Sequence, residues 1–121
     1  MSIVTVTFTP PPQEQIQSSP DPVHVPYGNG QSVTWNLQGP PGAAFAANGI
    51  YFKGSSPGTL TRVSDTQYSL ADDNTNTSGQ EVDYAYGINI TYSGQPYSID
   101  PEVDNDPEGG GGAMRVRYGS S

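Results

Sequence analysis

Large apolar side chains alternate with small or polar ones over residues 82–92, the longest regular pattern in the chain. A period of two predicts a β-strand with one buried face, because successive side chains of a strand point to opposite faces of the sheet. Asp83 falls on the polar side of the alternation, so the pattern predicts that it faces solvent. The apolar side consists of Val82, Tyr84, Tyr86, Ile88, Ile90 and Tyr92.

Shorter runs of the same kind occur along the rest of the chain. Residues 2–9 and 33–37 alternate as clearly, and Trp35, the only tryptophan, falls on the apolar side. Clusters of Gly, Pro, Asn and Asp separate further short apolar runs, which predicts about seven or eight strands. We therefore expect an all-β fold, a single antiparallel β-sandwich. The remaining predicted strands are 23–25, 50–53, 60–63, 67–70 and 97–99.

Polar and irregular stretches predict the connections and the domain organisation. Residues 13–20 are polar and proline-bounded, which indicates a loop or flexible link, and residues 43–48 are the one segment whose composition allows a helical turn. We expect residues 1–99 to form the β-sandwich domain and residues 100–121 to be an acidic, glycine-rich C-terminal segment. Residues 114–118 alternate again, which predicts either an edge strand with outward arginines or a mobile terminal segment.

Composition excludes several classes of function. The 121 residues include no cysteine, so disulfides, thiolate nucleophiles and cysteine-based metal sites are excluded. Four basic residues against twelve acidic ones give a net charge of −8, which disfavours binding to nucleic acids and anionic membranes. The first residues lack the basic and apolar regions of a secretory signal, so we expect a cytoplasmic protein if residue 1 is the native start.

Three stretches resemble β-sandwich families. Residues 30–36 (Gly-Gln-Ser-Val-Thr-Trp-Asn) resemble a strand of cupredoxins, and residues 79–86 resemble the tyrosine-bearing strand of immunoglobulin-like folds. Segments from residue 33 to Asn105 follow an order that resembles small uncharacterised bacterial proteins. These resemblances imply a sandwich fold, and the bacterial group implies no known activity. The resemblance to cupredoxins would imply copper, but a blue-copper centre needs two His and a Cys, and this chain has one His, His24, and no Cys.

Two oxygen-rich segments are weak candidates for Ca²⁺, which takes carboxylate and carbonyl oxygens. Both lack the glycine of an EF-hand loop, so a solvated acidic tail and a turn-rich loop explain them better. His24 has no second ligand nearby in sequence, which favours a half-buried strand residue over a metal ligand. We therefore expect no cofactor and no metal. The weak Ca²⁺ candidates are Asp100, Glu102, Asp104 and Asp106 in one segment, and Asp72, Asn74, Asn76 and Asp83 in the other.

The sequence contains residue types that can act in catalysis, but no recognisable catalytic pair or triad. Asp65, Asp83 and Asp100 are the carboxylates from which a hydrolytic pair would have to come, and nothing in the sequence fixes their separation. A Ser-His-Asp site would have to use His24, which has no nucleophile motif near it. We therefore expect that the protein is not an enzyme.

Exposed tyrosines are the remaining candidate for function. Tyr27, Tyr51, Tyr92 and Tyr97 have faces that we expect to reach the surface, where aromatic rings bind partners or stack on sugars. Cross-strand pairing explains the same tyrosines and is favoured. We predict a non-catalytic protein-interaction or self-association domain. The alternatives are a carbohydrate-binding module and a Ca²⁺-dependent binding module.

Overall fold

The fold is all-β, as the alternating patterns predict, but both sheets contain parallel pairs, so the expected purely antiparallel arrangement is wrong. The computed structural model describes residues 2–74, 81–105 and 115–118, and no helix occurs among them. They form more strands than the seven or eight expected. The eleven strands are β1 (Ser2–Thr9), β2 (Gln15–Ser19), β3 (Val23–Val25), β4 (Ser32–Gln38), β5 (Ala44–Phe52), β6 (Thr59–Ser64), β7 (Gln67–Ala71), β8 (Glu81–Tyr92), β9 (Gln95–Ile99), β10 (Glu102–Asn105) and β11 (Arg115–Tyr118).

The first sheet has five strands in the order β2-β1-β4-β7-β6. β1 and β4 pair in parallel, with Val4 opposite Trp35, and the other neighbours pair antiparallel. Alternate residues of β1 and β4 are buried, which agrees with their period of two. Strands β2 and β6 each have one partner and are the edges of this sheet.

The second sheet is built around the long strand β8. Its first half pairs with β10 and β11, and its second half pairs with β5 and β9. The order β11-β8-β10-β3 continues the sheet on one side, where β3 pairs with β10 in parallel. The predicted strand at residues 82–92 therefore exists and is central to its sheet. Segment 100–121 contributes β10 and β11 to the same sheet as β8.

Three local expectations are wrong. The expected loop at 13–20 contains β2, and the segment expected to allow a helical turn, 43–48, lies largely in β5. The expected solvated acidic tail contains β10, which is hydrogen-bonded to strands on both sides. In each case, pairing with a distant strand overrides a local composition that favours irregular structure.

Side chains from both sheets share one buried cluster. Trp35 of β4 and Tyr86 of β8 are fully buried with ring centroids 5.3 Å apart, and the Trp35 Nε1–H donates to the Tyr86 hydroxyl at 2.9 Å. Phe8 of β1 contacts Tyr92 and Tyr97 on the other sheet. The core therefore lies between residues contributed by the two sheets. No helix in the described ranges has the length and hydropathy needed to cross a membrane.

Candidate functional site

Three carboxylates meet on the face of the second sheet that points away from the core. Asp83 of β8 and Asp104 of β10 are opposite each other in the antiparallel register, and both are fully buried. One oxygen from each of these residues and one from Glu102 lie within 4.8 Å of one another. Asp83 is therefore not exposed, contrary to the expectation from its place in the alternation.

Burial and charge repulsion determine the protonation of this cluster. Burial, followed by hydrogen bonds to Glu102 and Asp83 and repulsion from both, raises the pKa of Asp104 far above its ordinary value. This shift favours a protonated Asp104 carboxyl.

The other Ca²⁺ candidates do not join this cluster. Asp100 forms an ion pair with Lys53, with Nζ and Oδ1 2.6 Å apart. Asp106 and Asn76 lie outside the described residues. Of the two segments that were weak Ca²⁺ candidates, the structure therefore brings together Glu102 and Asp104 from one and Asp83 from the other.

Asp72 and Asn74 have a different role, at the end of β7. The Asn74 Nδ2 donates to the carbonyl oxygen of Val25 in β3 at 2.9 Å. The Asn105 Nδ2, from β10, donates to the Asp72 Oδ1 at 3.1 Å. These buried bonds connect the end of a strand in the first sheet to two strands of the second.

The candidate catalytic carboxylates lie in three different settings. Asp65 is exposed and pairs with Arg62 at 3.0 Å, Asp83 is in the buried cluster, and Asp100 pairs with Lys53. His24 is exposed on β3, opposite Asp104 in the register, rather than half-buried. The hypothesis of a hydrolytic pair thus gains no support from these positions.

The four candidate tyrosines divide into two pairs. Tyr27 is 42% exposed and Tyr51 is 36% exposed. Tyr92 and Tyr97 are half-buried against Phe8, with ring centroids 5.5 and 4.9 Å from the Phe8 ring. Tyr97 and Tyr92 therefore offer only part of their ring surface to a partner.

Tyr97 also lines a groove of about 270 Å³ between β2 and β9, which we call the β2–β9 groove. Its lining combines half-buried apolar side chains with exposed polar ones. The full lining is Glu14, Ile16, Pro96, Tyr97, Ser98 and Ile99.

The path of the chain between β2 and β3 explains why this groove exists. β2 pairs with β1 in the first sheet, whereas β3, after residues 20–22, pairs with β10 in the second. β10 therefore has a neighbour on both sides, and among the described strands β9 pairs only with β8. The position beside β9, in line with β3, holds no strand among the described residues.

The hairpin between β8 and β9 determines which backbone groups of β9 face this position. Tyr92 and Gln95 flank a two-residue turn in which Ser93 and Gly94 have φ of 52° and 75°, as a type I′ turn requires. The flanking residues of such a turn form a hydrogen-bonded pair, and bonded and non-bonded pairs alternate from there. Counting from Gln95, the N–H and C=O of Ser98 point outward, away from β8.

Sequence patterns identified only part of this groove. Tyr97 was among the candidate surface residues, but Glu14 and Ile16 lie in the segment expected to be a loop. The single available signal was the alternation of Ile16 with two glutamines, which is too short to predict a strand. No protein-family model matches the chain, and a search of curated proteins also found no match.

Proposed function

We propose that the two sheets form a β-sandwich, and that the protein is a non-catalytic interaction module that binds an extended segment of a partner protein along β9. The observation that carries this proposal is the β2–β9 groove beside the edge of β9 that no described strand pairs with. An extended peptide that pairs with an exposed sheet edge is a recurring mode of recognition, in which backbone bonds give affinity and pockets for alternate side chains give specificity.

The backbone of β9 limits where the partner bonds. Of the two outward residues of β9, Pro96 has no N–H, so Ser98 supplies the one outward donor of this strand. Pro96 also discourages indiscriminate pairing along the edge. The partner segment therefore bonds at Ser98, close to the middle of the groove.

The apolar lining supplies the contact for a partner side chain. Ile16, Tyr97 and Ile99 are half-buried, so each still has apolar surface that a partner can remove from water. Such burial stabilises a complex by roughly 25 cal/mol per Å² before the costs of association. A side chain of Val, Ile or Leu size suits a groove of about 270 Å³.

Selection of phage-displayed random heptapeptides against the protein tests the proposal. We expect peptides with alternating apolar residues, and we expect their amide shift changes to fall on β2 and β9 in NMR spectra. Binding of these peptides should weaken at least about tenfold in Ser98→Pro, because the outward N–H is lost while no bond to β8 is removed.

Ser98→Ala is the matched control, since it keeps the N–H, and its affinity should stay within about twofold of the unaltered protein. Peptides N-methylated at alternate residues test the same bonds without changing the protein, and should not bind. Two results would overturn the proposal. The phage-selected peptides could bind Ser98→Pro and the unaltered protein equally, or they could change the NMR amide shifts only of residues away from β2 and β9.

A further inference from the structure

Two carboxylates flank β2, which forms one wall of the β2–β9 groove. Glu14 precedes β2 and lines the groove. Asp21 follows β2, and where β3 begins to pair with β10 its Oδ1 accepts a hydrogen bond from the N–H of Glu102 at 3.1 Å. Asp21 is exposed.

Two of the chain's four basic side chains are paired elsewhere. Lys53 is paired with Asp100, and Arg62 is paired with Asp65 and with the carbonyl oxygen of Phe45. None of the six groove-lining residues is basic. Partial burial, and secondarily the nearby Glu102 charge, raise the pKa of Asp21, although its hydrogen bond from the Glu102 N–H opposes this. A cation placed there would relieve the repulsion between the two carboxylates.

We infer that the partner segment is a basic β-strand, with a Lys or Arg at each end of an alternating apolar core. This inference rests on the proposed function and names the chemistry of its partner. Glu14 and Asp21 are seven residues apart on either side of β2, which at about 3.3 Å per strand residue is at most roughly 23 Å. Basic residues at positions one and seven of a strand lie roughly 20 Å apart and share a face with positions three and five.

Three synthetic peptides provide the test. The basic peptide is Lys-Thr-Ile-Thr-Ile-Thr-Lys, and the other two carry Gln or Glu in place of both lysines. In fluorescence anisotropy at low salt, the Lys peptide should bind at least about tenfold more tightly than the Gln peptide, and the Glu peptide most weakly. The preference should shrink in 0.5 M NaCl, because salt screens exposed charges.

Variants of the protein assign the preference to particular carboxylates. In the double variant Glu14→Gln, Asp21→Asn, the Lys and Gln peptides should differ by less than about threefold. The matched control Asp65→Asn, Asp73→Asn also removes two negative charges, and it should keep the full preference. A preference that persists in the first variant, or is lost equally in the control, overturns the inference.

The outcomes separate this inference from the proposed function. Equal binding of the Lys and Gln peptides, weakened in both by Ser98→Pro, overturns the basic partner and leaves strand addition supported. If no synthetic peptide and no phage-selected peptide binds, strand addition itself fails.

Discussion

The Asp72 carboxyl is enclosed where the end of β7 meets the second sheet. Burial raises its pKa to about 6, against the opposing effect of the hydrogen bond from Asn105, and repulsion from Asp73 adds to the increase. Its Oδ2 accepts no hydrogen bond from the described part of the chain. A buried carboxylate with one unsatisfied oxygen favours the protonated form, so this residue opposes folding at neutral pH.

The pKa of Asp72 predicts a pH dependence of stability. Since folding raises the pKa from 3.8 to about 6, the stabilisation is complete below pH 3.8 and is lost as pH rises through about 6. Asp72→Asn keeps the acceptor for Asn105 and removes the charge. We expect it to increase the free energy of unfolding at pH 8 by roughly 1–3 kcal/mol and to leave it little changed at pH 4.

Urea denaturation at pH 4, 6 and 8, followed by the fluorescence of buried Trp35, measures this effect. Asp73→Asn is the control, because Asp73 is exposed and its amide oxygen can still accept the bond from Gly30. Because Asp73 repels Asp72, its removal should increase stability at pH 8 by less than Asp72→Asn does, and should change stability at pH 4 by less than about 0.5 kcal/mol. Lower stability of Asp72→Asn at pH 8 would contradict the role given to the charge.

Gly58 and Gly87 each lie close to another part of the chain, and the nature of that neighbour determines whether a side chain is tolerated. A methyl group on Gly58 would collide with the carbonyl oxygen of Ala71, which belongs to the backbone of β7. A methyl group on Gly87 of β8 would collide with the ring of Tyr51, which is partly exposed. The backbone of a paired strand resists displacement, whereas a surface ring can rotate away.

We therefore expect the two substitutions to reduce stability by different amounts. Gly58→Ala should reduce the free energy of unfolding by about 1–3 kcal/mol, and Gly87→Ala by less than about 1 kcal/mol. Urea denaturation of both variants at pH 6 provides the comparison. A larger loss for Gly87→Ala would mean that the Tyr51 ring is held as firmly as the β7 backbone.

Strands with regular apolar alternation could be predicted from sequence, and the others could not. β1, β4 and β8 each bury alternate apolar residues, so their local pattern contains the necessary information. β2 contains Ile16 as its one large apolar residue, and β10 contains Val103 between acidic and amide side chains. Both form because a distant strand offers backbone hydrogen bonds, and no local pattern reveals that partner.

The same limit applies to the candidate site. Alternation assigned Asp83 to the correct face of β8 but could not tell that Asp104 and Glu102 lie beside it. Tyr97 was recognisable as a surface candidate, but its neighbour Ile16 lies about 80 residues earlier in the chain. Contacts between residues so far apart depend on topology, which periodicity and composition do not determine.

Net charge affects how copies of the whole molecule meet. Each copy carries −8, so two copies repel one another at neutral pH, and this favours a foreign basic partner over self-association. We expect a monomer at pH 7.5 in 20 mM salt by size-exclusion chromatography with light scattering. Near the isoelectric point of about 4.1, loss of repulsion should increase association. A dimer at pH 7.5 in low salt would contradict this expectation and would favour self-association.

The pairing of β3 with β10 has a consequence for synthesis on the ribosome. Val23 and its partner Val103 are 80 residues apart, and β3 has no other strand neighbour among the described residues. At about 5–20 residues per second, roughly 4–16 s pass between translation of the two. During that interval β3 has no partner strand, whereas β1, β2 and β4 can already pair with one another. The β3 side of the second sheet therefore closes only after β10 has been made.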